Sequence, residues 1–334
     1  MGTKRSFLVL GDIHYAGPEE QTRRGHESRA VANPFLRLLL RIWRHFFWLR
    51  DPFAHNHLLD YVIRQARPVD GVISLGDLSC DSAFVGVSDD AASHSARLCL
   101  QKLRQRFGPR VYVTIGDHEL GKMSFFGAQG GMRLASWHRA HSELGLEAFW
   151  QFEIGRYALI GVTSSLIAFP VFSPESLPGE REEWRRLRTA HLERIRAAFS
   201  ALRPQQRILL FCHDPTALPF LWQEKVVRAR LPNLEQTIIG HLHTRVIFRK
   251  SRLLAGMPAI GWLGNSARRM STALNQAKCW RPFKVRLCPA LTGCQLLKDG
   301  GYYLVNLDEA AESPPQFEFH PIPWRDTASG SGTR

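Results

Sequence analysis

The sequence predicts an α/β fold built on parallel strands, and three observations carry that prediction. Short motifs of Gly, Asp and His recur at Gly11-Asp12-Ile13-His14, Gly76-Asp77, Gly116-Asp117-His118-Glu119, His213-Asp214-Pro215 and Ile239-Gly240-His241-Leu242-His243-Thr244. Four of the five follow a β-branched or Leu-rich run that ends in Gly or a turn, where a parallel strand delivers side chains to the rim of a sheet. Between the first three motifs, strand-like runs alternate with helical periodicity at α/β spacing.

Taken in order, Ser6 to Leu10 is a continuous apolar run closed by Gly11-Asp12, and it reads as the first core strand. Residues 15 to 33, punctuated by Gly17-Pro18, Gly25 and Asn33-Pro34, read as loop. His55 to Ala66 reads as helix, Val69 to Leu75 as the strand delivering Gly76-Asp77, and Ala91 to Phe107 as a helix stopped at Gly108-Pro109. Val111 to Ile115 is the strand before Gly116-Asp117. Residues 121 to 131 hold four glycines and read as a mobile loop. Further strands are expected at Tyr157 to Thr163, Arg207 to Phe211 and Gln236 to Ile239, with a charged surface helix from about Glu180 to Leu202. Val246 to Phe248, Tyr302 to Leu307 and Phe317 to Phe319 read as closing strands. Because the motifs span residues 11 to 244, a boundary inside that range would divide one site. A single domain over residues 1–325 is expected, with residues 326–334 as a disordered Ser/Gly/Thr tail.

The insertion at about 35–50, Phe35 to Arg50, stands apart from this pattern. At about 100° per residue, Arg37, Arg41, Arg44 and His45 share a narrow stripe while Leu, Ile, Trp and Phe fill the rest of the circumference. As a helix it would be roughly 24 Å long, short for a bilayer. Two readings fit: an in-plane membrane helix with aromatics toward lipid and Arg toward headgroups, or a helix packed on the domain with its Arg in water.

Bulk properties leave the partner open. The net charge of +14 and pI near 10.0 favour anionic partners: nucleic acid, an anionic membrane surface or a phosphorylated substrate. Six cysteines without a CxxC pair fit a reduced compartment. Met1 to Leu10 does not read as a signal peptide, and no run of about 18 uncharged apolar residues predicts a span. Cytoplasmic placement is expected, with peripheral membrane attachment through residues 35–50 as its variant.

Asp12, His14, Asp77, Asp117, His118, His213, His241 and His243 supply carboxylate and imidazole without thiolate, the ligand mix of Mn²⁺, Fe, Zn²⁺ or Mg²⁺ in hydrolytic sites. A single Asp-x-His is ordinarily a turn Asp beside a part-buried His; five such motifs at strand ends are not. In order they read GDIH, GD, GDHE, HDP and GHLH, which resembles the calcineurin-like metallophosphoesterases across residues 11 to 244. That resemblance implies a four-layer α/β/β/α sandwich with two divalent metals, manganese first, at the strand ends. It assigns Asp12, His14 and His243 to the first metal, Asp77 to a bridge, and Asp117, His213 and His241 to the second. His118 would act outside the metal shell as proton donor or phosphate contact. Two cations about 3.5–4 Å apart require an anionic bridge, and water between them can attack phosphorus in line.

Two positions depart from the family pattern. Asp117 stands where the family usually has Asn, so three ligand carboxylates face two cations, which predicts tighter metal binding and a somewhat alkaline optimum. Asp81, after the bridging Asp77, is read as a turn residue. Arg268 and Arg269 are candidate substrate-phosphate contacts, against the plainer reading of a solvated basic loop. His26, His45, His55, His57, His94, His138, His141, His191 and His320 have no supporting pattern.

The motifs set a reaction and leave the substrate open. A phosphodiester or pyrophosphate is expected, and residues 35 to 50 loosely resemble membrane-associating segments of UDP-diacylglucosamine pyrophosphatases, which points to a lipid-linked substrate. The alternatives are a nuclease or soluble nucleotide phosphodiesterase, for which the charge would be the footprint, and a catalytically silent scaffold that binds a partner through its basic-aromatic surface.

Overall fold

A computed structural model describes residues 3–124, 129–260 and 265–324. The expected disordered tail and residues 125–128 of the glycine-rich loop lie outside these described residues. Ten strands are described: β1 Lys4–Leu10, β2 Gly71–Ser74, β3 Val111–Val113, β4 Phe149–Ile154, β5 Tyr157–Val162, β6 Arg207–Cys212, β7 Leu234–Ile239, β8 Val285–Leu287, β9 Gly301–Asp308 and β10 Gln316–Pro321. They form two five-stranded sheets, ordered β10-β9-β1-β2-β3 and β4-β5-β6-β7-β8. Within them β1, β2 and β3 run parallel, as do β5 to β8, while β9 and β10 on one side of the first sheet and β4 at one edge of the second pair antiparallel.

Side chains alternate faces along a strand, and that period sorts the core into layers. Phe7, Val9, Ile73 and Leu75 of the first sheet meet Leu159, Leu209, Phe211 and Ile238 of the second in one buried cluster. Leu8, Leu10 and Val72 point the other way, onto Leu58, Leu59 and Val62 of helix Asn56–Gln65 and Leu100 and Leu103 of helix Asp90–Phe107. On the far side Ile160, Ile208 and Leu210 pack on Leu192, Ile195 and Phe199 of helix Arg181–Ala201. The result is the expected α/β/β/α order.

Local chemistry explains where sequence reading and structure part. The run at 246–248 lies in helix Arg245–Leu253, because Thr244 caps it by accepting from the Ile247 amide at 3.1 Å. Residues 15–33 contain short helices, Pro18–Gln21 and His26–Ala30, rather than loop alone. The expected basic loop at Arg268 and Arg269 is instead helix Asn265–Gln276. Strands β4 and β8 were not foreseen. All six cysteines are free thiols.

The insertion is a helix over Pro34–Phe46, started by Pro34 and by Asn33, whose side chain accepts from the amides of Phe35 and Leu36. It sits with its apolar arc outward. Phe35 is 65% exposed, Leu38 54% and Phe46 58%, and Leu39, Ile42 and Trp43 are exposed beside them. The basic stripe divides: Arg44 is 8% exposed and pairs with Glu27, and Arg37 donates to the Val31 carbonyl at 2.9 Å, while Arg41 and His45 stay exposed. Packing thus takes Arg44 and part of Arg37 out of water and leaves Arg41 in it. Among the described residues no helix is long and apolar enough to cross a membrane.

Candidate metal centre

Five strand-end segments deliver the motif side chains to one place. Asp12 and His14 follow β1, Asp77 follows β2, Asp117 follows β3, His213 follows β6, and His241 and His243 follow β7. The carboxyl ends of both sheets thus open on the same rim. To turn each side chain inward the backbone adopts left-handed values at His14 (φ 50°), Asp77 (φ 52°), His241 (φ 58°) and His243 (φ 56°). Non-glycine residues avoid this region, so four such sites together mark stored strain. Close approach fixes two glycines as well: a Cβ on Gly240 would overlap the Asp12 carboxylate, and one on Gly116 the Asp77 carboxylate.

The side chains fall into two neighbouring sets. Ligand-type atoms of Asp12, His14 and His243 lie within 4.8 Å of one another, and so do those of Asp117, His213 and His241. Asp77 lies between the sets, its Oδ2 3.9 Å from His14 Nε2 and its Oδ1 3.4 Å from His213 Nε2. Ring tautomers are set from behind. His213 Nδ1 donates to the Leu75 carbonyl at 2.7 Å and His14 Nδ1 to that of Ser79 at 3.3 Å, so each leaves Nε2 to face the centre. Glu119, which sequence reading passed over, is buried and accepts from the amides of Gly116, Asp77 and Leu78 at 2.8, 2.9 and 2.7 Å. It braces the loops that carry Asp77 and Asp117.

Electrostatics here are incomplete without cations. Asp12 Oδ2, Asp77 Oδ2 and His243 Nδ1 are buried without a hydrogen-bond partner, a state that ordinarily costs about 1–3 kcal/mol per group. Burial pushes the Asp77 carboxyl well above its usual range. Burial alone would lower the His213 imidazole, but Asp77, Asp117 and Asp12 raise it well above the usual histidine value. Orphaned carboxylate and imidazole atoms in this mix suit borderline or hard divalent ions. The residues present fit the group.

Asp117 is treated differently from its neighbours. Its Oδ2 lies 3.3 Å from Lys122 Nζ and 3.7 Å from Arg269 Nη2. Burial would raise its carboxyl, yet Lys122 and His241 hold it well below the usual range. The extra negative charge expected to tighten metal binding is offset by two cations, and an alkaline optimum does not follow from it. Arg269 also pairs with Glu175 at 3.2 Å, while Arg268 makes no site contact among the described residues.

His118 forms a further metal-capable group with His14 and Asp77. Its Nδ1 donates to the Cys80 carbonyl at 3.0 Å, which leaves Nε2 toward the centre, 3.8 Å from Asp77 Oδ2. Asp81 accepts from the amides of Gly86 and Lys122 and is the turn residue it was read to be. Among the described residues none of the unsupported histidines joins a metal-capable set.

A cavity of about 360 Å³ opens over this centre. Its lining combines His14, His118, His241, His243, Lys122 and Arg269 with Leu40, Trp43, Trp48, Ile247 and Leu274. Trp48 joins its polar and apolar lining, its ring 4.7 Å from His243 and stacked 5.2 Å from Trp43.

No protein-family model and no curated protein matches the chain. Among solved structures it is similar to a purple acid phosphatase from yellow lupin (Lupinus luteus) seeds, with TM-score 0.36 and 13% identity over 73% of this chain and 38% of that one. It is also similar to the phosphopantetheinyl hydrolase of Mycobacterium tuberculosis, with TM-score 0.37 and 15% identity over 73% of this chain and 84% of that one. The chain thus spans under half the length of the lupin phosphatase, and likeness at this level fixes no family.

Proposed function

We propose that the chain is a metal-dependent phosphohydrolase that cleaves a phosphodiester or pyrophosphate of an amphiphilic, lipid-linked substrate at a membrane surface. The convergence of seven ligand-type side chains, with buried oxygens left unpartnered, carries the reading. Asp12, His14 and His243 would hold one divalent ion and Asp117, His213 and His241 the other, with Asp77 between them. Bound there, two cations supply Lewis-acid neutralisation of phosphoryl oxygens and a water of lowered pKa.

The chain's own groups do the rest. Lys122 and Arg269 line the cavity beside Asp117 and present positive charge to a phosphate bound there. His118 Nε2 is the ring nitrogen placed to hand a proton to the leaving oxygen, with Nδ1 locked by Cys80. The apolar lining of the cavity and the outward arc of helix Pro34–Phe46 favour an amphiphilic substrate over nucleic acid, whose grooves would not match such a face.

The test is hydrolysis of bis-p-nitrophenyl phosphate by the purified protein with added Mn²⁺, beside Asp77→Asn. Metal-dependent activity that the substitution removes is expected. Silence in protein that binds no metal would leave the scaffold reading.

A further inference from the structure

Behind the outward-facing helix lies a second hollow, apart from the metal cluster. We infer that it binds the phosphate headgroup of an anionic lipid, an assignment that rests on the membrane reading above and deepens it. The hollow encloses about 330 Å³, and its four guanidinium groups, Arg24, Arg41, Arg44 and Arg50, face only two carboxylates, Glu27 and Asp51. Both carboxylates are engaged: Glu27 pairs with Arg44, and Asp51 lies 3.4 Å from Arg24. Arg41 and Arg50 have no acidic partner among the described residues.

Position selects a lipid headgroup among anions. At about 100° per residue, Arg41 and His45 flank the arc of Phe35, Leu38, Ile42 and Phe46, next to Leu38. With that exposed arc in the acyl region, the unpaired cations lie at headgroup depth. The ion pair of Arg44 and Glu27 lines both this hollow and the cavity over the metal ligands, as do His26 and Pro52, so the two adjoin. Two planar guanidinium forks match an anion with several free oxygens, and phosphate is that group in membranes.

The experiment is sedimentation of the full chain with phosphatidylcholine vesicles, with and without phosphatidate, for the parent, Arg41→Gln/Arg50→Gln and Arg41→Lys/Arg50→Lys. Phosphatidate is expected to strengthen binding of the parent, and the Gln pair to weaken binding to those vesicles by about ten- to thirtyfold. Its binding to phosphatidylcholine and its hydrolysis of bis-p-nitrophenyl phosphate should match the parent, and the Lys pair should fall between. An unchanged response to phosphatidate in the Gln pair overturns the headgroup site and leaves the membrane reading standing. A Lys pair equal to the parent reduces the hollow to generic charge and also overturns it. Failure of the parent to bind any vesicle removes both readings. Calorimetry with inorganic phosphate closes the remaining route: arginine-dependent binding of free phosphate without a phosphatidate effect assigns the hollow to a soluble anion and overturns the lipid.

Discussion

The strand-end centre and the helix Pro34–Phe46 break opposite halves of one rule. At the centre, carboxylate and imidazole atoms are buried without partners, on a backbone forced into left-handed values. Along the helix, aromatic and aliphatic side chains face outward while Arg44 and Arg37 turn in to carboxylate and carbonyl partners. Each arrangement is costly for the chain alone, since an orphaned buried polar group and a contiguous exposed apolar face both raise its free energy. The difference teaches what each region lacks. One lacks positive charge and the other lacks an apolar cover, and Trp48, set between His243 and Trp43, joins them through one cavity.

The comparison breaks most sharply at its polar half. His118→Ala should cost about 10²–10⁴-fold in kcat while metal content stays at the parent level, which steady-state kinetics beside elemental analysis would read. Equal loss of metal would move His118 into the ligand set. At the apolar half, Phe35→Ser/Phe46→Ser should abolish vesicle binding, because each side chain contributes about 1.5–3 kcal/mol when buried. The same pair should leave Tm unchanged or slightly raised, since both side chains are exposed in the folded chain. A fall of several degrees would show that the arc is covered by protein, for instance in a second copy.

Two smaller effects sharpen the contrast. His191, outside the metal-capable sets, is a buried histidine with a partner: its Nε2 accepts from the Thr163 amide at 3.2 Å, and burial lowers it to about 3. The unfolded chain then binds a proton that the folded chain refuses between about pH 6.5 and 3. Stability should therefore be full above pH 6.5 and fall by up to about 1.4 kcal/mol per pH unit below it. Denaturant melts of His191→Gln should show a shallower acid slope. Lys122→Met should tighten Mn²⁺ binding by up to about tenfold, because it removes the charge that offsets Asp117. Weaker binding in that variant would assign Lys122 a structural role instead.

Much of this was legible in the sequence because strand ends write themselves in short code. Runs such as Phe7-Leu8-Val9-Leu10 followed by Gly11-Asp12 fixed both a buried strand and the residue at its rim. Motif spacing brought all seven candidate ligands together without reference to tertiary contacts. Other features lie beyond local pattern. Val246 to Phe248 has β-branched character, but the cap supplied by Thr244 outweighs it. Glu119 acts through three backbone amides, and nothing in its neighbours announces that. The offset of Asp117 by Arg269 joins residues distant in sequence, and Lys122, though nearby, lies outside the motif. Periodicity located the two faces of helix Pro34–Phe46 but could not say which one meets the protein, because that depends on where Glu27 and Val31 lie.

The most direct test of the account is calorimetric titration of chelator-treated protein with Mn²⁺, beside Asp77→Asn and with bound metal counted by mass spectrometry. The account predicts about two ions per folded chain and the loss of at least one in the variant, in step with lost diesterase activity. A folded parent that takes up no divalent ion at millimolar concentration would contradict it.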